Sequence, residues 1–170
     1  MRLTPDETLT LYAAGLDVLD EALSGLAEPD LDLASTPDGW TIRQIVHHIA
    51  DGDDLWSMCL KAALAAPGCS YEHDWYSTDN ACAKTLDYAG RAIEPAVALF
   101  QANRQHVVQL VRHLPDAWDR FVLFKRAAMP EPQSINVGFI VRIQARHALE
   151  HVEEIRAIRQ ALRAIGPADG

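Results

Sequence analysis

Four segments of this chain carry apolar residues every three or four positions, and each is bounded by residues that start or stop a helix. That pattern leaves little room for anything but packed helices. The first segment is opened by Thr4-Pro5-Asp6-Glu7, a reciprocal side-chain cap with proline at the first helical position. Leu9, Tyr12, Leu16, Leu19, Leu23 and Leu26 then follow at heptad spacing until Glu28-Pro29-Asp30. A second cap of the same kind, Thr41 with Gln44, opens a helix that runs to Pro67-Gly68, with Ile45, His48, Gly52, Leu55 and Cys59 as its inward set. The third helix spans about Pro95 to His113, with Val97, Phe100, Val107, Leu110 and Val111 on its apolar face. The last covers about 137–165, turns Ile140, Ile143, His147, His151, Ile155, Ile158 and Leu162 to one side, and stops at Gly166-Pro167.

The connections are long. Residues 69 to about 91 show no sustained period, and mix Tyr71, His73, Trp75 and Tyr76 with Asp and Asn. From Trp118 to Asn136 a short Phe121-Val122-Leu123-Phe124 run is compatible with a strand pair, but two prolines in the same stretch argue for a loop. The expected architecture is therefore all-α: an antiparallel four-helix bundle with long irregular connections, forming a single domain over residues 1–170. With 170 residues, 49% of them hydrophobic, such a bundle can bury a core without staples. Cys59, Cys69 and Cys82 are odd in number and form no CxxC pair, so they read as reduced thiols. Fifteen Lys and Arg against 24 Asp and Glu leave a net charge of −9, which argues against nucleic acid or an anionic membrane as partner. No basic-then-apolar leader and no stretch of 18 apolar residues is present, so a cytoplasmic protein is expected.

Histidines break the apolar pattern. His147 and His151 are four apart on one helix, hence neighbours with Cβ atoms roughly 5–6 Å apart, and they bracket the centre of an apolar stripe. His48 lies in line with Ile45, Gly52 and Leu55, whereas His47 shares a side with Gln44, Asp51, Asp54 and Lys61 and reads as lateral or exposed. Three inward imidazoles on two helices match the ligand count of an open catalytic site for a divalent ion, with the remaining positions left for water or substrate. Each alone would be an ordinary core histidine, but three together leave several nitrogens that need partners. Gly52, one turn beyond His48, leaves space beside them.

Spacing decides between rival readings. No His has Glu three residues before it, so the di-iron carboxylate pattern is absent. His147-Ala148-Leu149-Glu150-His151 fits the H-x-x-E-H pattern of inverted zinc peptidases, but only 19 residues remain to supply the downstream carboxylate such a site needs, and Glu150 lies off the inward stripe. His106 and His113 sit beside the apolar face of the third helix and read as structural; Cys59 is 11 residues from His48, about 16 Å along a helix, too far to share an ion.

The run Asp38-Gly39-Trp40-Thr41-Ile42-Arg43-Gln44-Ile45-Val46-His47-His48-Ile49-Ala50-Asp51, followed about 100 residues later by His147-x3-His151-x3-Ile155, resembles the DinB/YfiT-like superfamily of metal-dependent enzymes over essentially the whole chain. The resemblance implies a four-helix bundle, often a homodimer, that binds one divalent ion, zinc or nickel foremost, through His48, His147 and His151. It further implies a small-molecule substrate and either hydrolysis or S-transfer with a low-molecular-weight thiol such as bacillithiol or mycothiol. The alternative is a non-catalytic metal- or ligand-binding bundle in stress response. Glu154 stands where the family commonly has Gln, one turn from His151 on the inward stripe; it is expected to act as a base, to accept a hydrogen bond from His151, or to pair with an Arg of another helix.

Overall fold

Both expected caps form. The Glu7 N–H donates to Thr4 Oγ1 at 3.2 Å while Glu7 accepts from the Thr4 N–H at 2.8 Å, and helix α1 runs Pro5–Leu23. Thr41 and Gln44 repeat the exchange at 3.2 and 2.9 Å and open α2, Ile42–Ala65. In this computed structural model, which describes residues 3–76 and 81–165, the remaining helices are a short α3 (Ala81–Thr85), α4 (Glu94–His113) and α5 (Val137–Ile165). The first helix ends short of Leu26 because Gly25 turns the chain with a φ of 75°, and Gly68 does the same after α2 with 85°. The expected stop at Gly166-Pro167 and the side chain of Leu162 fall outside what is described.

The strictly all-α expectation is corrected by a three-stranded sheet. Strand β1 (Ser70–Glu72) lies parallel to β2 (Phe121–Lys125), which pairs antiparallel with β3 (Gln133–Asn136). Val122 and Phe124 point into the core between more exposed neighbours, the alternation of a half-buried strand. Pro130 and Pro132, which argued for a loop, sit in the turn between β2 and β3 and leave the ladder intact.

α1 packs on α5 and α4, and α2 packs on α4 and α5, so the circuit round the bundle runs α1, α5, α2, α4 and the consecutive long helices α1 and α2 face each other across a diagonal. The interior falls into two apolar clusters. One gathers Leu9, Leu60, Val107 and Ile140 with the sheet residues Val122 and Phe124; the other gathers Leu19, Ile45, Ile49, Phe100 and Ile155. Between them, Arg104 of α4 is 1% exposed. Its Nε donates to Asp53 Oδ1 of α2 at 3.1 Å, Nη1 to the Tyr12 carbonyl of α1 at 2.6 Å, and Nη2 to the Gln144 carbonyl of α5 at 2.8 Å. Gly15 makes room for it, since a Cβ there would overlap the guanidinium.

Breaking a buried pair strands the partner's charge. Asp53→Ala is expected to cost about 3–5 kcal/mol of stability, and Gly15→Ala to destabilise as well, both read from denaturant midpoints at unchanged m-value.

Candidate metal centre

α2 delivers His48 and α5 delivers His147 and His151 to one spot, each half-buried, with one ring nitrogen of each within 4.8 Å of the others. His48 Nε2 and His147 Nε2 face each other at 3.1 Å. Two nitrogens held at about 2.0–2.1 Å from one tetrahedral ion would lie roughly 3.3 Å apart, so the pair already stands near ligand spacing. No fourth Cys, His, Asp or Glu joins the three among the described residues.

The far sides of the rings show which nitrogens are bare. His48 Nδ1 lies 3.1 Å from the Tyr76 hydroxyl, and the Tyr88 hydroxyl donates to Asp51 Oδ2 at 2.5 Å. With its Nδ1–H donated to Tyr76, His48 would turn an unprotonated Nε2 to His147. His151 Nδ1 lies 3.0 Å from Glu154 Oε2, which fixes the same tautomer and frees Nε2. Such outer partners are what a metal-binding histidine requires. Glu154 itself is 55% exposed, lies against His151 and is not among the residues that line the neighbouring cavity.

A cavity of about 420 Å³ opens on the cluster, with His48, His147 and Gly52 in its wall and Leu55, Trp56 and Ile143 as its apolar side. A Cβ on Gly52 would meet His147 Cε1 at 3.5 Å, so the missing side chain leaves room beside the imidazole. Trp40 packs edge-on against His48 at 4.6 Å. Burial pushes the His147 imidazole down to about 3, helped by His151, His48 and Arg104; burial and then His151 push His48 down to about 4.

His47 is the correction on this helix. It is 3% exposed, stacked on Tyr88 at 5.5 Å, with Nε2 donating to the Arg91 carbonyl and Nδ1 accepting from Arg91 Nη2, each at 3.3 Å. Helical stepping finds the side that faces the bundle; it does not register the 86–93 segment that covers the opposite side. The first half of α2 is buried nearly all round, with Ile42, Arg43, Val46 and His47 as covered as Ile45 and Ile49. The same blindness hid Tyr76, Tyr88 and Asp51, which sequence reasoning did not assign to the site. His106 and His113 lie exposed on α4, apart from the cluster, and Cys59 is buried away from it.

The sequence and the fold have known counterparts. A model of the DinB superfamily matches residues 11–155. The chain belongs to the DinB superfamily. Among curated relatives of this DinB chain, a protein of Geobacillus thermodenitrificans carrying the name of a metal-dependent hydrolase is 25% identical over 85% of this chain and 78% of its own. One of Oceanobacillus iheyensis with the same kind of name is 29% identical over 83% and 77%. Among solved structures, YfiT from Bacillus subtilis, described as having an unusual four-helix bundle topology, superposes with a TM-score of 0.72 at 20% identity, covering 97% of this DinB chain and 91% of YfiT. A mycothiol-dependent maleylpyruvate isomerase superposes with a TM-score of 0.67 at 17% identity over 90% of this chain and 61% of its own. These likenesses establish the fold. No described helix is long and apolar enough to cross a membrane.

Because the folded imidazoles resist protonation, metal-free protein should lose stability as the pH falls. The unfolded chain takes up these protons near pH 6.5, whereas folded His48 and His147 wait until about 4 and 3. Asp53, raised to about 6 by burial against the pull of Arg104, offsets part of this. A net loss on the order of a few kcal/mol between pH 7 and 4 is expected in chelator-treated protein, and a shallower slope in His147→Gln.

Proposed function

We propose that this DinB chain is a divalent-metal-dependent enzyme, with one zinc or nickel ion held by His48, His147 and His151 and a small-molecule substrate in the adjoining cavity. The observation that carries the reading is the convergence of three imidazole nitrogens, two of the rings with hydrogen-bond partners behind them, beside an open cavity that His48 and His147 line. A purely structural site would be closed by a fourth protein ligand. When bound, a divalent ion supplies Lewis acidity to an oxygen or sulfur nucleophile and to the bond it attacks.

The chain's own residues then bind, orient and exclude. Tyr76 and Glu154 hold His48 and His151 in the ligating tautomer; Leu55, Trp56 and Ile143 remove apolar substrate surface from water; Gly52 admits it beside His147. Hydrolysis is the first reading, supported by the names of the curated relatives. Thiol transfer is the second, supported by the fold shared with the mycothiol-dependent isomerase. The chain is expected to act as a homodimer, as the family resemblance in its sequence implies.

Elemental analysis after zinc or nickel loading should find about one ion per chain, none in His147→Ala, and no loss in His47→Ala, whose nitrogens are engaged with Arg91. Tyr76→Phe should weaken metal affinity about 10–100-fold without abolishing it. Loaded protein screened against small esters and amides, with and without a thiol cosubstrate, should turn over in a chelator-sensitive way; loaded but inert protein leaves only the binding bundle. Glu154→Gln, which retains an acceptor for His151, should alter turnover only slightly. Sedimentation should give about twice the mass of the 18.8 kDa chain.

A further inference from the structure

The sheet presents a second group of polar atoms to the same cavity. β1 and β2 are parallel with Glu72 paired to Lys125, so the next residue of each strand, His73 and Arg126, leaves the sheet side by side. Both line the cavity, and Arg126 Nη2 lies 3.2 Å from His73 Nε2. A guanidinium can only donate, so His73 Nε2 is the acceptor and the proton of the neutral ring sits on Nδ1. Burial, and then the charge of Arg126, hold His73 below its ordinary pKa and keep it neutral.

That assignment leaves two donors without acceptors. His73 is 3% exposed and wedged against Trp56 and Phe124, and its Nδ1–H has no partner. The Arg126 Nε–H has none either, and Arg126 forms no ion pair among the described residues. Arg146, the other cation at the cavity, already has Glu150 at 3.6 Å. On the same wall, Gln144 is 4% exposed and its Oε1 is an acceptor without a donor, one turn before His147. Buried polar atoms without partners are rare, and three of the four found among the described residues belong to residues that line this one cavity.

We propose that His73 and Arg126 form a carboxylate-binding subsite, and that the substrate is a small carboxylic acid held by its carboxylate at the strand ends. Its apolar middle lies along Trp56 and Ile143. Its reactive bond reaches His48 and His147, with an N–H or O–H offered to Gln144. The placing of the reactive bond rests on the metal-centre reading above; the subsite does not. A guanidinium at the cavity wall with no carboxylate partner among the described residues suits the two oxygens of a planar carboxylate, whereas a phosphate dianion would call for a second free cation.

The test is calorimetric titration of the full zinc-loaded chain with phenylacetate, its uncharged match phenylacetamide, and phenyl phosphate. Phenylacetate should bind at least roughly tenfold tighter than the amide and tighter than the phosphate. Arg126→Gln should erase the preference for the acid, Arg126→Lys should retain part of it, and Arg146→Gln should leave it unchanged, all with zinc content unaltered. Equal binding of acid and amide, binding of neither, or tighter binding of phenyl phosphate overturns the proposal. A preference that survives Arg126→Gln but vanishes in His147→Ala also overturns it, because the carboxylate is then on the ion. If instead the chain binds no metal while the preference still depends on Arg126, the subsite stands and the metal-centre reading falls.

Discussion

The Arg104–Asp53 pair is the constraint around which the bundle is arranged. Both side chains are 1% exposed, and the guanidinium is shared among all four long helices: it springs from α4, meets the carboxylate of α2, and caps carbonyls of α1 and α5. Apolar helices can slide by a turn at modest cost, because one methyl group packs much like another. A buried charge that needs an anion and two carbonyl oxygens at fixed places tolerates no such slip. It sets the height of α5 against α2, and hence the level at which His147, one turn beyond Gln144, comes opposite His48 and Gly52. Tyr12 tightens the arrangement, with its hydroxyl 3.3 Å from Asp53 and its ring 4.2 Å under the guanidinium.

Around the imidazoles, electrostatics and hydrogen bonding act together. Three rings are packed with centroids 4.6–5.0 Å apart, and burial disfavours protonation of His48 and His147. Tyr76 behind His48 and Glu154 behind His151 offer partners for protons on the outer nitrogens. The inner nitrogens are then free to turn lone pairs toward one another, an arrangement that a cation relieves. The cavity adds the complementary asymmetry: lone pairs at the helix side, uncommitted N–H groups at the strand ends.

Much of this was readable from residue order. Capping boxes are local, so Thr4 and Thr41 gave the starts of α1 and α2 directly. His147 and His151 are one turn apart on a helix with a single apolar stripe, and periodicity suffices there. It fails on α2, which is enclosed from several sides, so that a stripe drawn through Ile45, His48 and Leu55 misplaced His47. Strand β1 was hidden because its pairing reaches across more than fifty positions of sequence, Ser70 with Leu123, which short-range pattern cannot see; β2 and β3 pair locally, and the prolines of their connection argued against them. Arg104 did leave a trace: it occupies the place between Phe100 and Val107 where the stripe of α4 calls for an apolar residue. Nothing local marks Asp53 as its partner.

His48 and His147 stand 99 residues apart in sequence. The cluster therefore cannot exist in a partial fold: α2 can be complete, and the sheet begun, while the second helix it needs is still undocked. An ion held at the junction would recognise only chains in which α2 and α5 have docked. Occupancy then feeds back on the equilibrium by mass action, since every bound ion withdraws a completed molecule from the pool that can unravel. In this bundle a metal centre of the proposed kind would double as a latch, so that availability of the ion would set how long the molecule persists.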